Sequence, residues 1–323
     1  MMKNLVINGK VKYCTECKRD MKFIPAVTYI REFRLYLCHK HFNQWFEEWV
    51  EKTIQQFNMF SREDKVLVAL SGGKDSMVLW YVLNKLGYQA DGFHINLGIP
   101  GNSGPSAEAI AQLAQKLNKQ PIIVDLHKET GAGIPEIARM FRSPACSICG
   151  RIKRYYFNRT ARLGGYKIVA TGHNLDDEAA ALLSNLLHWK EKFLVSKYPV
   201  LKEDSHLGLP RKVKPLTIMT EEQIRLYAEI NEIPFTSAIC PLSSGARLKE
   251  FKEFISRIEE RSPGTRRSFY LNYIRKYQKL FISRHEKKTH RQNLQKCKIC
   301  GEPSPSEVCL VCKIKSEIEK SRS

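Results

Sequence analysis

Residues 66 to 76 read Val-Leu-Val-Ala-Leu-Ser-Gly-Gly-Lys-Asp-Ser. Val66 to Leu70 have the length and apolar content of a buried strand, and Met77 to Leu83 follow with the composition of a packed helix. Between them Gly72 and Gly73 let backbone N–H groups close on an anion, at the start of a helix whose dipole also favours negative charge. Lys74 adds a point charge, Ser71 and Ser76 add hydroxyls, and Asp75 adds a carboxylate. This is a phosphate cradle. It is not a Walker A loop, because S-G-G-K-D-S does not satisfy G-x-x-x-x-G-K-[ST]. An ordinary glycine-rich turn is the plainer alternative, and the strand–turn–helix setting argues against it.

The ten cysteines form three groups. Cys14-x2-Cys17 and Cys38-x2-His41 offer three thiolates and one imidazole, a closed tetrahedral zinc shell with no place left for substrate. His39 competes for the fourth position, but only His41 repeats the knuckle spacing. Cys297-x2-Cys300-x8-Cys309-x2-Cys312 has the spacing of a four-cysteine zinc ribbon. The middle set is Cys146-x2-Cys149, with only Cys240 left to join it. Three thiolates without a fourth ligand suit a [4Fe–4S] cluster with one open iron. A pair that carries sulfur as a persulfide or disulfide, and buried inert thiols, are the other readings.

A second polar loop, Thr171-Gly-His-Asn-Leu-Asp-Asp-Glu, follows the apolar run Ile168-Val-Ala. Asp176 and Asp177 at a strand's carboxyl end can hold Mg2+ against ATP phosphates, or they cap the next helix. His94 ends a second strand, Gln89 to Leu97, and belongs either to a nucleotide pocket or to the core. Pro121 to Leu126 is a third strand. Helices expected at 106–117 and 178–187 alternate with these strands, which implies an α/β fold: a Rossmann-like parallel sheet with helices on both faces. Ligands in such sheets bind beyond the strands' carboxyl ends.

The chain has 323 residues and a net charge of +20. From Pro241 onward it carries 20 Lys/Arg against 9 Glu and no Asp, a field suited to a polyanion. The spacing predicts a basic amphipathic helix over 245–260. Phe269, Tyr270, Tyr273, Tyr277 and Phe281 follow, interleaved with Arg267, Arg275 and Lys276, and their exposed members make an expected RNA phosphate-tracking surface. Phe42, Trp45, Phe46, Trp49 and Val50 fall at helical spacing and are expected to pack the first knuckle onto the next domain. Residues 313–323 read as a frayed tail. No apolar run approaches a membrane span, the first residues lack a signal-peptide core, and the unpaired thiols suit a cytoplasmic protein.

Together, S-G-G-K-D-S, C-S-I-C-G-R-I-K-R-Y, T-G-H-N-L-D-D-E-A-A and I-C-P, flanked by cysteine knuckles, resemble the tRNA 2-thiouridine synthetases of the TtcA/TtuA family in the PP-loop superfamily. The match spans Tyr13 to Cys312, and the TtuA type is the nearest branch. The resemblance implies cluster ligands Cys146, Cys149 and Cys240, and a PP-loop at Ser71, Gly72, Gly73, Lys74, Asp75 and Ser76. It also implies ATP-site residues Ala69, His94, Ile95, Lys153, Gly172 and Asp177, with Lys153, Asp75 and Asp177 joining the three cysteines in catalysis. The expected reaction adenylates a tRNA uridine at O2 and replaces that oxygen with sulfur, at T-loop position 54, or alternatively at wobble position 34. The expected cofactors are the [4Fe–4S] cluster and two Zn2+, with ATP and Mg2+. The expected partners are tRNA, a thiocarboxylated ubiquitin-like sulfur carrier or free sulfide, and a second copy of the chain. The domains are expected at 13–45 (zinc finger), 46–290 (PP-loop domain) and 291–323 (zinc finger and tail). A non-catalytic zinc-finger RNA-binding module is the rival of another class.

Overall fold

Val66 to Leu70 do form a strand, and it lies at the centre of the sheet. The computed structural model describes residues 4–195, 197–242, 246–278 and 294–322. A hairpin of β1 (Val6–Ile7) and β2 (Lys10–Val11) precedes α1 (Thr15–Arg19), β3 (Thr28–Ile30), β4 (Leu35–Leu37) and the long helix α2 (His39–Gln56). The central unit then alternates: β5 (Lys65–Leu70), α3 (Lys74–Lys85), β6 (Gln89–Asn96), α4 (Ser103–Leu117), β7 (Ile122–Asp125), α5 (Leu126–Thr130), α6 (Ile134–Met140), α7 (Ala145–Leu163), β8 (Ile168–Ala170) and α8 (Leu175–Leu187). After it come α9 (Glu191–Val195), β9 (Val200–Leu201), β10 (Arg211–Val213), α10 (Glu221–Ile230), α11 (Ala246–Arg261) and α12 (Thr265–Asn272).

The sheet order is β7-β6-β5-β8-β10-β9, parallel except for the edge strand β9. The connections reverse direction between β5 and β8, so a crevice opens beyond those two carboxyl ends. Along β5, Val66, Val68 and Leu70 join the core shared with α2, α3, α4, α8 and α10, while Leu67 joins the other core with α6 and α7. This period of two follows from the pleat. Residues 42, 46 and 50 of α2 are buried as expected, with Phe46 stacked on Tyr227 at 4.1 Å between centroids. The helix runs unbroken through the boundary expected after residue 45.

Two expectations change. The tail is not frayed: Leu310–Arg322 is a helix whose Val311, Ile314 and Ile318 share a core with Ile148, Ile152 and Tyr156 of α7. Those residues recur at helical spacing, a signal that its polar composition obscures. Buried Glu302 pairs with Arg159 and Arg162 and fixes this C-terminal unit to the far end of α7. Arg267 is no RNA contact, because it is 5% exposed, bonded to Glu32 at 2.8 Å and seated over Phe33 and Trp49. Tyr270 and Tyr273 are core, whereas Arg275, Lys276 and Tyr277 remain exposed. Phe281 lies outside the described residues. Among those described, no helix is long and apolar enough to cross a membrane.

Candidate active site

The loop after β5 is braced from within. Ser76 Oγ donates to the Gly73 carbonyl at 2.9 Å and accepts from the Ser71 N–H at 3.1 Å. Gly72 has φ +79°, and a Cβ there would lie 2.6 Å from the Cα of Ser106, so α4 packs directly on the turn. From the other side comes Gly172, after β8, where a Cβ would lie 2.8 Å from the Ser76 nitrogen. The two switch-point loops therefore touch through glycine, and the crevice lies beside them.

That crevice is a cavity of about 520 Å3. Ala69, Ser71, Gly73, His94, Ile95 and Lys153 line it, with Ser106, Thr171, His173, Thr236, Ala238 and Cys240 completing the wall. His94 Nδ1 donates to the Leu70 carbonyl at 3.0 Å, which leaves Nε2 as a buried acceptor with no partner. Burial holds this imidazole below its usual range and thus neutral. The Ser106 hydroxyl is a second buried orphan at the cavity. Ser106, Thr236 and Ala238 are additions to the expected site; no motif marks them.

Cys240 arrives on a segment pinned to the loop it faces. The Thr236 N–H donates to the Gly72 carbonyl at 2.9 Å, and Asn102 donates to the Ala238 carbonyl at 3.3 Å. Cys146 and Cys149 sit on the first turns of α7, and Lys153 follows Cys149 by one turn. Burial pushes the Cys149 thiol up; Lys153 opposes this, while Cys240 and Cys146 add to it. Cys149 feels both other thiols, but only Cys240 lines the cavity, and the three sulfurs are not drawn within 4.8 Å of one another as the terminal sets are. None is in a disulfide, Cys146 is exposed and the other two are half-buried. Three soft thiol donors of this kind fit an iron–sulfur cluster.

The charged end of the site is a network. Lys74 Nζ lies 3.0 Å from Asp75 and 3.1 Å from Glu221. Lys252 of α11 lies 2.5 Å from Asp177 and 3.5 Å from Glu221. Burial pushes Asp75 up against the pull of Lys74. The expected aspartate pair divides: Asp176 is buried against Arg266 and accepts the Glu221 N–H at 2.8 Å, so it is structural. The cap of α8 is Asn174, reciprocated by Asp177. Of the two, only Asp177 joins the network, through Lys252, and it lines not this cavity but the neighbouring one.

The terminal groups make tighter cages. Ligand atoms of Cys14, Cys17, Cys38 and His41, and of Cys297, Cys300, Cys309 and Cys312, lie within 4.8 Å of one another and could hold metal ions. His41 Nδ1 is 3.3, 3.3 and 3.4 Å from the three sulfurs, which decides for His41 over His39.

A strand-loop-helix cradle at the switch point defines a nucleotide-binding α/β protein. A family model described as a PP-loop domain matches residues 46–238. Over 311 residues the chain is 40% identical to a tRNA-5-methyluridine(54) 2-sulfurtransferase of Thermotoga maritima, covering 96% of this chain and 98% of the relative. A Pyrococcus horikoshii protein of the same name is 38% identical, with 94% and 95% covered. Among solved structures, a U34-tRNA thiolase of Methanococcus maripaludis with its [4Fe–4S] cluster superposes with a TM-score of 0.74 at 27% identity, over 95% of this chain and 96% of that one. The chain belongs to the PP-loop superfamily and, within it, to the tRNA 2-thiouridine synthetases of the TtuA type.

Proposed function

We propose that the protein is an ATP-dependent tRNA 2-sulfurtransferase acting on the T-loop uridine at position 54. The observation that carries this reading is a nucleotide-sized cavity with the PP-loop on one wall and Cys240, beside Cys146 and Cys149, on another. The choice of position rests on 38–40% identity to relatives named for position 54, against 27% to the position-34 thiolase.

Adenosine enters between Ala69, His94 and Ile95, where His94 Nε2 accepts from the adenine amino group. The triphosphate lies along Ser71 to Ser76. Gly72 and Gly172 keep the loops low enough for backbone N–H groups to reach it. Lys74, with Lys252 beside it, balances the charge of departing pyrophosphate, and Asp75 and Asp177 hold the accompanying Mg2+. The uridine O2 attacks the α-phosphorus, pyrophosphate leaves, and oxygen becomes part of AMP, a good leaving group. Lys153, between the thiols and the nucleotide, holds charge on the AMP side. Cys146, Cys149 and Cys240 would hold a [4Fe–4S] cluster, whose chemistry is to carry sulfide to C2.

The terminal cages hold Zn2+ in this reading. A Zn–S bond of about 2.3 Å sets tetrahedral S–S edges of roughly 3.8 Å, and the Cys17–Cys38, Cys300–Cys309 and Cys297–Cys312 separations are 3.8, 3.7 and 3.9 Å. The same reading keeps three units (13–45, 46–290 and 291–323), a homodimer, a cytoplasmic location, and sulfur from a thiocarboxylated ubiquitin-like carrier or free sulfide.

Nucleoside mass spectrometry of tRNA from a strain lacking the protein tests it. Loss of 2-thioribothymidine is expected. Loss of a wobble 2-thiouridine instead would move the chemistry to position 34, and an unchanged thionucleoside profile would overturn the reading.

A further inference from the structure

A second cavity, of about 500 Å3, adjoins the first at His173. His173 lines both cavities, and its ring is held by Thr171 Oγ1 at 2.9 Å. Asp177, Glu178, Ala181, Lys197, Lys214 and Leu248 complete the lining. Its lining holds two carboxylates and two lysines, but they are paired unevenly. Asp177 is taken by Lys252 at 2.5 Å. Glu178, 2% exposed, must serve two lysines, with Lys214 at 2.9 Å and Lys197 at 3.7 Å. Its Oε2, the atom nearest Lys197, has no hydrogen-bond partner, so that ammonium stands off the carboxylate. Burial and the neighbouring Lys214 hold Lys197 below the usual lysine range, and desolvation with Lys214 nearby lowers the His173 imidazole. Two desolvated ammonium groups sharing one carboxylate leave Lys197 under-paired, a position that an anionic group in the cavity would complete.

We propose that Lys197 and Lys214 bind a backbone phosphate of the RNA strand adjoining the nucleotide being thiolated. The proposal rests on the function proposed above and extends its substrate site. The PP-loop has its own lysine, Lys74, 3.1 Å from Glu221 and outside this lining, so pyrophosphate already has a cradle. Farther along α8 the surface suits nucleic acid: Trp189 is 73% exposed next to Lys190, and His188 packs edge-on against Phe251 of the basic helix α11. A phosphate between Lys197 and Lys214 would leave its base at the mouth of the ATP cavity, across His173.

Full-length holoprotein purified without oxygen provides the test, with tRNA affinity measured across a salt series. Lys197→Gln and Lys214→Gln should each weaken tRNA binding roughly five- to tenfold. Each should also make the log–log salt dependence shallower by about one. ATP affinity and pyrophosphate inhibition should stay within twofold. Lys197→Arg should retain the wild-type slope. Glu178→Gln, which removes the competing carboxylate, should tighten tRNA binding. Lower melting temperatures with unchanged tRNA affinity and slope would reduce the group to a structural ion triad and overturn the proposal. Weaker pyrophosphate inhibition at an unchanged tRNA slope would assign the lysines to the leaving group and overturn it equally. Wild-type protein that binds tRNA but never thiolates it would defeat the proposed function, while the slopes would still decide the phosphate site.

Discussion

The Thr236 N–H donates to the carbonyl of Gly72 at 2.9 Å, a bond between the segment that delivers Cys240 and the turn that cradles phosphate. Four residues beyond that bond stands the third thiol of the site. Nucleotide grip and cysteine placement therefore share one backbone contact. Any movement of the turn would reach Cys240 through this bond without passing through the sheet.

Cys240→Ala should separate the two halves of the site. Anaerobically purified variant is expected to lose the visible absorption of an iron–sulfur chromophore and its thiolation, while ATP affinity stays within a few-fold of wild type by calorimetry. Cys14→Ser, in the N-terminal cage, should keep the colour and lower the melting temperature. Thiolation surviving in Cys240→Ala would remove that cysteine from the chemistry.

Gly72→Ala faces two penalties, a left-handed φ of +79° and a Cβ 2.6 Å from the Ser106 backbone. The backbone conformation alone costs about 1–2 kcal/mol. Gly172→Ala would push against the backbone of Asp75 and Ser76. Both are expected to weaken ATP at least tenfold. Gly104→Ala, with nothing within 4 Å of the added carbon, should leave ATP affinity unaltered. Equal ATP affinity in all three would mean that the loops do not need their close approach.

Arg267→Ala should unfold more readily and bind tRNA as before. Its guanidinium is buried against Glu32, Phe33 and Trp49, and removing one member of a buried pair costs about 3–5 kcal/mol. Denaturant melts and tRNA titrations check both halves. A drop in tRNA affinity with full stability would return Arg267 to the RNA surface.

Lys212, on β10, is largely buried, and its ammonium is pushed down to about 8 by burial, with Arg154 acting in the same direction. An unfolded chain keeps that proton up to the ordinary value of 10.5. Below pH 8 the folded protein therefore bears the whole cost of a buried charge, and from 8 to 10.5 stability rises with pH as the folded state sheds it. Lys212→Met should raise stability at pH 7 by up to about 3 kcal/mol. The gain should shrink towards pH 10.5. A gain independent of pH would show that packing, not charge, is responsible.

Local signals make much of this legible. The PP-loop, the cysteine spacings and the strand–helix alternation all lie within a few residues of the feature they specify. What escapes is set by distant pairings. Glu221 meets Lys74 across the fold, Lys252 reaches Asp177 from α11, and Ser106 fits under Gly72. Arg267 and Asp176 mislead for the same reason: a charged side chain looks available until its partner on another element is known. The closing helix is different, because the spacing of Val311, Ile314 and Ile318 is visible in the chain itself.

That closing helix also orders events in time. Ile314 and Ile318 belong to the same core as Ile148, Ile152 and Tyr156, so the wall bearing Cys146 and Cys149 is finished only when residues 310–322 have been made. A nascent chain stopped before residue 310 has every cysteine of the middle set and an unfinished support beneath two of them. A chain cut short there leaves the core face of α7 uncovered.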